Sequence, residues 1–363
     1  MADPARLEGV LLVGGLGTRL RPLTVYTPKP MLPVAGVPFV AHQLARLRDA
    51  GVRRVVLATS YRAEVFEGYL GDGAAFGVDL VYATEDEPLG TGGAIRHGVQ
   101  LLTSGPDDPV VVLNGDVLSG HDVAAQVRTH AAAGADVTLH LVRVPDPRAY
   151  GCVPTDATGH VTQFLEKTPE PVTDQVNAGC YVFRRAVVDA IPAGRVVSVE
   201  RETFPGLLAS GALVLGCVDD AYWLDLGTPQ AYVAGSRDLV RGVVRSSAVP
   251  GPPGESLVLT GARVDPTAVV DGGSVVGAGA WVGPGAFVRG SVLQDGVRVG
   301  AQARVLDSVV GSGARIGDRT LVESAVVGDD ADVGADCEIA AGTRVWVGVR
   351  LPDRSVRTTD DDD

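Results

Sequence analysis

The stretch Gly14-Gly15-Leu16-Gly17-Thr18-Arg19-Leu20-Arg21-Pro22 comes directly after an apolar run at 10–13. Glycines at Gly14, Gly15 and Gly17 let a backbone approach a phosphate or a base closely and turn N–H groups toward anions. Taken alone, such a turn equally well joins any strand to any helix. This one continues into two arginines and then into Pro28-Lys29-Pro30, where prolines hold a lysine in a stiff, non-helical segment. It has neither the spacing of a P-loop nor a G-x-G-x-x-G after the strand. Two acids stand out further along. Asn114-Gly115-Asp116 closes the apolar run 110–113, and Asp225 lies in Trp223-Leu224-Asp225-Leu226-Gly227-Thr228. The ordinary role of a loop aspartate is a turn or a helix cap. Glu166-Lys167, followed by Asn177-Ala178-Gly179, reads equally as an exposed charged hairpin. Leu89-Gly90-Thr91-Gly92-Gly93 reads as a Gly-rich helix start with Thr91 as its cap.

Of 31 basic residues only Lys29 and Lys167 are lysines, which leaves 29 arginines, and both lysines fall in these motifs. An ammonium is a compact point charge and a guanidinium a wide planar fork, so a crowded phosphate site favours the smaller head. The histidines, His42, His97, His121, His130, His140 and His160, show no H-x-x-x-H spacing and read as ordinary surface or core residues.

These motifs need a scaffold. Short apolar runs at 9–13, 54–59, 79–83, 109–113 and 136–144 read as strands, and 38–50, 63–70, 93–102 and 122–133 read as helices. Buried strands separated by helices imply a parallel sheet covered on both faces, with ligands beyond the carboxyl ends of the strands. The segment 241–255, with three prolines and three glycines, reads as a linker. After it Val264, Val270, Val276, Val282 and Val288 recur every six positions. Val282-Gly283, Val299-Gly300, Ile316-Gly317 and Val333-Gly334 then lie 17 residues apart by subtraction. A six-residue period fits a chain coiling in flat faces with one aliphatic side chain per face pointing inward, and 17 is three faces with one corner shortened.

Bulk composition narrows the class. A net charge of −13 argues against a nucleic-acid partner, which calls for a basic stripe. Cys152, Cys180, Cys217 and Cys337 form no C-x-x-C pair, which speaks against a structural zinc site and for reduced thiols. The start has no apolar stretch suited to a signal peptide, and no run approaches the ~20 apolar residues that span a bilayer. A cytoplasmic protein without a membrane partner is expected.

The run G-G-x-G-T-R-L-R-P-L-T, followed by P-K-P-M-L-P, resembles the nucleotidyltransferases that activate sugar 1-phosphates. The resemblance extends over the whole chain, because many of those enzymes also carry a C-terminal left-handed β-helix. It is most similar to the mannose-1-phosphate guanylyltransferases, especially the actinobacterial form. The resemblance implies an α/β fold: a Rossmann-like nucleotidyltransferase sheet over 1–240, a linker over 241–256, a left-handed parallel β-helix of hexapeptide repeats over 257–351, and an acidic tail over 352–363. It implies GTP and mannose 1-phosphate as substrates and Mg²⁺ as cofactor, held by Asp116 and Asp225. Gly14, Gly15, Gly17, Thr18, Arg19, Lys29, Gly90, Thr91 and Asp116 would hold the nucleotide. Gly151, Glu166, Lys167 and Asn177 would hold the sugar phosphate, and Arg19, Lys29 and Lys167 would carry catalysis. The wording L-G-T-G favours guanine over thymine, while Thr168-Pro169 displaces by one residue a proline that relatives often place after the lysine. A homo-oligomer is expected from the exposed edges of stacked coils.

Other classes fit less well. An acetyl-transferring β-helix would use a histidine, and none follows His160. A regulatory paralogue need not keep Arg19, Lys29, Asp116, Lys167 and Asp225 together. A glycosyltransferase would show D-x-D where Asn114-Gly115-Asp116 has one acid. Glucose or heptose 1-phosphate, or another nucleotide, remain alternatives within the same family.

Overall fold

A computed structural model describes residues 7–59, 62–85 and 87–356. Most of the acidic tail, from residue 357 on, lies outside the described residues. The chain forms two compact units, one from its start to Gly15 plus Gln43–Trp223, the other from Leu16–His42 plus the chain from Leu224 onward.

The first unit is built on a nine-stranded sheet. Its strands are β1 (Glu8–Leu12), β2 (Arg54–Thr59), β3 (Asp79–Thr84), β4 (Pro109–Asn114), β5 (Val137–Arg143), β6 (Gly151–Cys152), β7 (Leu165–Glu166), β8 (Gln175–Arg184) and β9 (Val214–Asp219). The four strands β3, β2, β1 and β4 are neighbours in that order and run parallel, with Val10 level with Val56 on one side and Val112 on the other. Their near-continuous valines and leucines are what a strand buried on both faces requires.

Beyond β4 the expectation of a parallel sheet fails. Strand β8 runs antiparallel to both β4 and β5, and β7 and β6 form an antiparallel pair. Antiparallel neighbours need no helical crossover, so this part of the chain lacks the strand–helix alternation that marked the rest. A register shift between Asn177 and Tyr181 interrupts the β8–β5 ladder. Such an irregularity re-aims side chains, and here it lies on the Asn177-Ala178-Gly179 motif. Val10, Val56, Ile95, Val112, Leu139 and Phe183 share the core of this unit, all fully buried.

In the second unit three parallel sheets of six, six and five strands form a left-handed β-helix. Val276, Val282, Val288, Leu293, Val299, Val305, Val310, Ile316 and Val322 point inward and are at most 2% exposed. Strands pair 18 residues apart in the first coil, Ser256 with Ser274, and 17 apart in the next, Val275 with Val292 and Val292 with Val309. The shortened corner has a physical cause. Gly272 and Gly273, both at positive φ, turn it in the first coil, whereas single left-handed residues, Gly290, Asp307 and Ser324, turn it in the later ones. Below it a serine ladder supplies the hydrogen bonds: Ser274 Oγ accepts from Ser291 N, Ser291 Oγ from Ser308 N, and Ser308 Oγ from Ala325 N, at 3.0–3.1 Å. Among the described residues no helix is long and apolar enough to cross a membrane.

Candidate active site

The first unit places its motifs where the parallel strands end. Gly14 and Gly15 are exposed just past β1, and Gly15 has φ 109°. Asn114 is the last residue of β4, and Gly115-Asp116 forms the turn into the strand Val117–Ser119. The backbone of Gly115 donates to the Leu12 carbonyl at 2.8 Å, so the two strand ends are tied together. Asp116 is half-buried in that turn.

The helix Gly90–Val99 begins at Gly90, with Leu89 in the cap position and no side-chain cap. Thr91 therefore does not cap it. Its hydroxyl instead donates to Glu200 Oε2 at 2.7 Å and accepts from Val199 N at 2.9 Å. Glu200 lies in a π-helical turn, Val199–Thr203, an irregularity common at functional sites. Sequence reasoning missed it, because its link to Thr91 spans 109 residues and no motif announces it.

The residues expected to hold a sugar phosphate cluster around the β6–β7 pair. Glu166 is level with Gly151, and a β-carbon on Gly151 would sit 2.8 Å from Glu166 Oε2 and 3.0 Å from the Phe164 ring. A larger residue there would have to displace that carboxylate and press on the ring. Lys167 donates its backbone N–H to Tyr150 O at 3.1 Å and its ammonium lies 3.7 Å from Glu166, with the side chain 62% exposed. Asn177 donates its amide to the buried Tyr181 hydroxyl at 2.8 Å and accepts from Gly179 N at 3.1 Å. Burial, reinforced by the negative charge of Glu200, raises the Glu166 carboxyl above the ordinary carboxylate range against the pull of Lys167. Glu200 thus faces the Thr91 loop and the Glu166 pocket together.

The second unit holds the cationic set. Gly17, at φ 57°, precedes the 3₁₀ turn Thr18–Leu20, in which Thr18 and Arg19 are exposed. A β-carbon on Gly17 would meet Lys29 Cβ at 2.9 Å and Thr24 Cγ2 at 3.0 Å, and Thr24 Oγ1 donates to Gly17 O at 2.9 Å. Lys29 is consequently packed along its stem and only 12% exposed. Asp225 stands between the two cations, 3.8 Å from Lys29 Nζ and 3.8 Å from Arg19 Nη2. Gly227 makes room for the latter, since a β-carbon there would lie 2.4 Å from Arg19 Nη2. The structure brings Arg19, Lys29 and Asp225 together in this unit, and Gly151, Glu166 and Lys167 together in the first. Asp116 in the first unit and Asp225 in the second each offer carboxylate oxygens, the ligand type a hard divalent cation takes.

The same unit ties the arginine loop to the β-helix. Arg344 Nη1 donates to Arg21 O at 2.8 Å, and Gly328 lies so close that its β-carbon would be 3.1 Å from Pro22 Cγ. Losing one charge-assisted hydrogen bond costs on the order of 1 kcal/mol. If this loop holds a nucleotide, as expected from the sequence, Arg344→Ala should raise KM for that nucleotide about threefold to tenfold with little change in kcat. Steady-state kinetics with the nucleotide varied checks this, and an unchanged KM would show that the contact does not position the loop.

Comparison with known proteins places these motifs in a family. Residues 8–242 match the nucleotidyl transferase family and residues 253–359 the GMPPB C-terminal domain. The chain is 55% identical over 357 residues to the mannose-1-phosphate guanylyltransferase of Mycobacterium tuberculosis, covering 98% of this chain and 99% of that one. It is 38% identical over 233 residues to the probable mannose-1-phosphate guanylyltransferase 2 of Oryza sativa subsp. japonica, 64% of each chain. Among solved structures, HddC from Yersinia pseudotuberculosis complexed with GMP-PN superposes with a TM-score of 0.54 at 28% identity, over 64% of this chain and 99% of that one. A putative glucose-1-phosphate thymidylyltransferase from Bacillus anthracis, in complex with a sucrose, shares the fold, with a TM-score of 0.58 at 24% identity over 64% of this chain and 96% of that one.

Proposed function

The chain belongs to the nucleotidyl transferase family, and from that premise we propose that it is a mannose-1-phosphate guanylyltransferase, joining GTP to mannose 1-phosphate with release of pyrophosphate. The observation that carries the reading is the 55% identity sustained over nearly the full length of the mycobacterial enzyme. The guanine nucleotide analogue bound by HddC supports the choice of base.

In the proposed reaction a phosphate oxygen of mannose 1-phosphate attacks the α-phosphorus of GTP in line. The new P–O bond forms as the bond to the bridging α–β oxygen breaks, and pyrophosphate leaves with that electron pair. The nucleophile is already an anion, so no strong base is needed, and catalysis is positioning plus charge neutralisation. Gly14, Gly15, Gly17 and Thr18 give the triphosphate backbone N–H donors, with Arg19 and Lys29 offsetting its charge. Gly90 and Thr91 lie against the base. Gly151, Glu166 and Asn177 hold the sugar, and Lys167 holds its phosphate. Mg²⁺, assigned to the carboxylates of Asp116 and Asp225, supplies further neutralisation of the triphosphate when bound. A cytoplasmic homo-oligomer remains part of this reading.

Incubation with GTP, mannose 1-phosphate and Mg²⁺ should give GDP-mannose and pyrophosphate in equal amounts. Pyrophosphate without GDP-mannose would contradict the reading.

Glu166 supplies a finer test. Its role as hydroxyl acceptor needs the ionised form, and its raised pKa puts the loss of activity on acidification at a higher pH than an ordinary carboxylate would. Glu200→Gln removes the negative charge that disfavours ionisation, lowers the Glu166 pKa, and should move the acid limb of kcat/KM for the sugar phosphate to lower pH. A limb that stays in place, or moves up, would remove Glu166 from that role.

A further inference from the structure

His121 follows the strand Val117–Ser119 in the first unit and is buried, with a hydrogen-bond acceptor at each ring nitrogen. Nδ1 meets Asp219 Oδ2 at the end of β9, and Nε2 lies 2.9 Å from Gln126 Oε1 on the helix Val123–Ala133. The orientation of Gln126 is fixed by other partners. Its amide nitrogen donates to the carbonyls of Thr138 at 2.8 Å and Cys180 at 3.4 Å, and its oxygen also accepts from the Cys180 thiol at 3.1 Å. Turning the amide over would set its oxygen against both carbonyls. A neutral imidazole has one N–H and one lone pair, so either tautomer leaves a lone pair against an acceptor. Only the imidazolium, a donor at both nitrogens, satisfies the two contacts.

The surrounding groups divide for and against that charge. For it stands Asp219, whose Oδ1 also accepts from His140 Nε2 at 2.9 Å and from Ala221 N at 3.2 Å. Burial acts against the Asp219 carboxylate, but the two histidines hold its pKa well below the ordinary range. Against the charge stands Arg46 of the helix Phe39–Asp49, which donates to Ser119 Oγ at 3.4 Å and lies within electrostatic reach of Asp219. The other titratable neighbours are neutral. His140 stacks on His121 with ring centroids 3.7 Å apart, and burial lowers its pKa to about 4 in spite of Asp219. His130, one turn past Gln126, is likewise lowered to about 4 by burial. Burial pushes the Cys180 thiol up to about 11 and raises the Cys217 thiol too.

We propose that His121 is a positioning residue that acts as a charged imidazolium: its ion pair with Asp219 latches two segments of the first unit together, and the latch opens when the proton leaves at alkaline pH. One segment starts at Asp116, five residues before His121. It is closed by Gly120, whose N–H donates to Tyr222 O at 2.8 Å. The other segment runs from Asp219 to Trp223, whose indole N–H donates to Ala178 O at 3.1 Å and whose ring meets Tyr150 edge-on at 5.2 Å. Ala178 adjoins Asn177 in the chain, and Tyr150 adjoins Gly151. The latch therefore ties the stretch that carries Asp116 to the residues assigned to the sugar phosphate, and its part in catalysis rests on the function proposed above.

Denaturant unfolding of the full-length protein at a series of pH values reads this proton without any substrate. A free histidine titrates near 6.5, so a proton kept only by the folded chain stabilises it fully below that value, and the gain is lost as pH rises. Between pH 7 and 8 the wild-type unfolding constant should rise more steeply than that of His121→Gln, toward the limit of about tenfold per pH unit for one whole proton. His140→Gln, which removes the stacked ring but no proton, should keep the wild-type slope. Equal slopes in wild type and folded His121→Gln would overturn the proposal. Nitrogen-15 spectra of histidine-labelled wild type decide the matter even if that variant does not fold: one ring protonated at both nitrogens at pH 7.5 is expected, and none would overturn the proposal. In the proposed reaction His121→Gln should lower kcat about tenfold at pH 7, and wild-type kcat should fall toward the variant's as pH rises while both stay folded. The same kcat in both proteins at every pH would remove the positioning role. A protein that shows the slope difference but does not join GTP to mannose 1-phosphate would contradict the proposed function and leave the charged His121 standing.

Discussion

Asp225→Asn is expected to lower kcat by about two to three orders of magnitude, the scale for losing one preorganised charged group in an active site. The substitution keeps the side-chain shape, and Asp225 is an edge-of-strand residue 24% exposed, so the melting temperature should change little. KM for GTP should respond differently. Asp225 currently draws on both Lys29 and Arg19 at 3.8 Å, and without its charge both cations are freer to meet a triphosphate. A collapse of kcat with an unchanged or lower KM for GTP is therefore the expected signature. A rise in KM with kcat preserved would make Asp225 a binding residue only. Asp116→Asn should likewise lower kcat, because it removes the other carboxylate assigned to the cation.

The second large effect concerns Lys29. Lys29→Arg conserves charge, yet the Lys29 side chain is only 12% exposed, its stem is packed on Gly17, and its head faces Asp225. A guanidinium needs more width and a planar approach. Displacing the reacting phosphates by as little as 1 Å can cost about a hundredfold, and a loss of about that size in kcat/KM for GTP is expected. Lys167 differs because its side chain is 62% exposed. Lys167→Arg should cost about tenfold, expressed in the sugar phosphate kinetics. Steady-state kinetics with each substrate varied separates the two. Equal, small effects at both positions would mean that charge suffices and packing at Lys29 does not matter.

These predictions rest on features of unequal visibility in the sequence. The β-helix was legible because each coil repeats one local rule, an inward aliphatic residue every sixth position, and the 17-residue spacing of Val282, Val299 and Ile316 already marked a shortened corner. How that corner is turned was not legible, because Gly290, Asp307 and Ser324 share a backbone conformation and not a residue type. The parallel strands could be read from their buried valines and the helices between them. Strand β8, which enters antiparallel, could not, since the pattern of a buried strand carries no direction. At the site, Arg19, Lys29, Glu166 and Lys167 stood in compact motifs. Glu200 did not, because its partner Thr91 lies 109 residues away in the chain. Thr91 lay between these cases: its loop was found, but its hydroxyl bonds Glu200 and does not cap a helix.

The most direct test of the central claim is a pyrophosphate-release assay crossing GTP, ATP, UTP and dTTP with mannose, glucose and heptose 1-phosphates. The proposed function predicts that GTP with mannose 1-phosphate gives the highest kcat/KM of all pairs. A higher kcat/KM for ATP, UTP or dTTP, or for another sugar 1-phosphate with GTP, would contradict it.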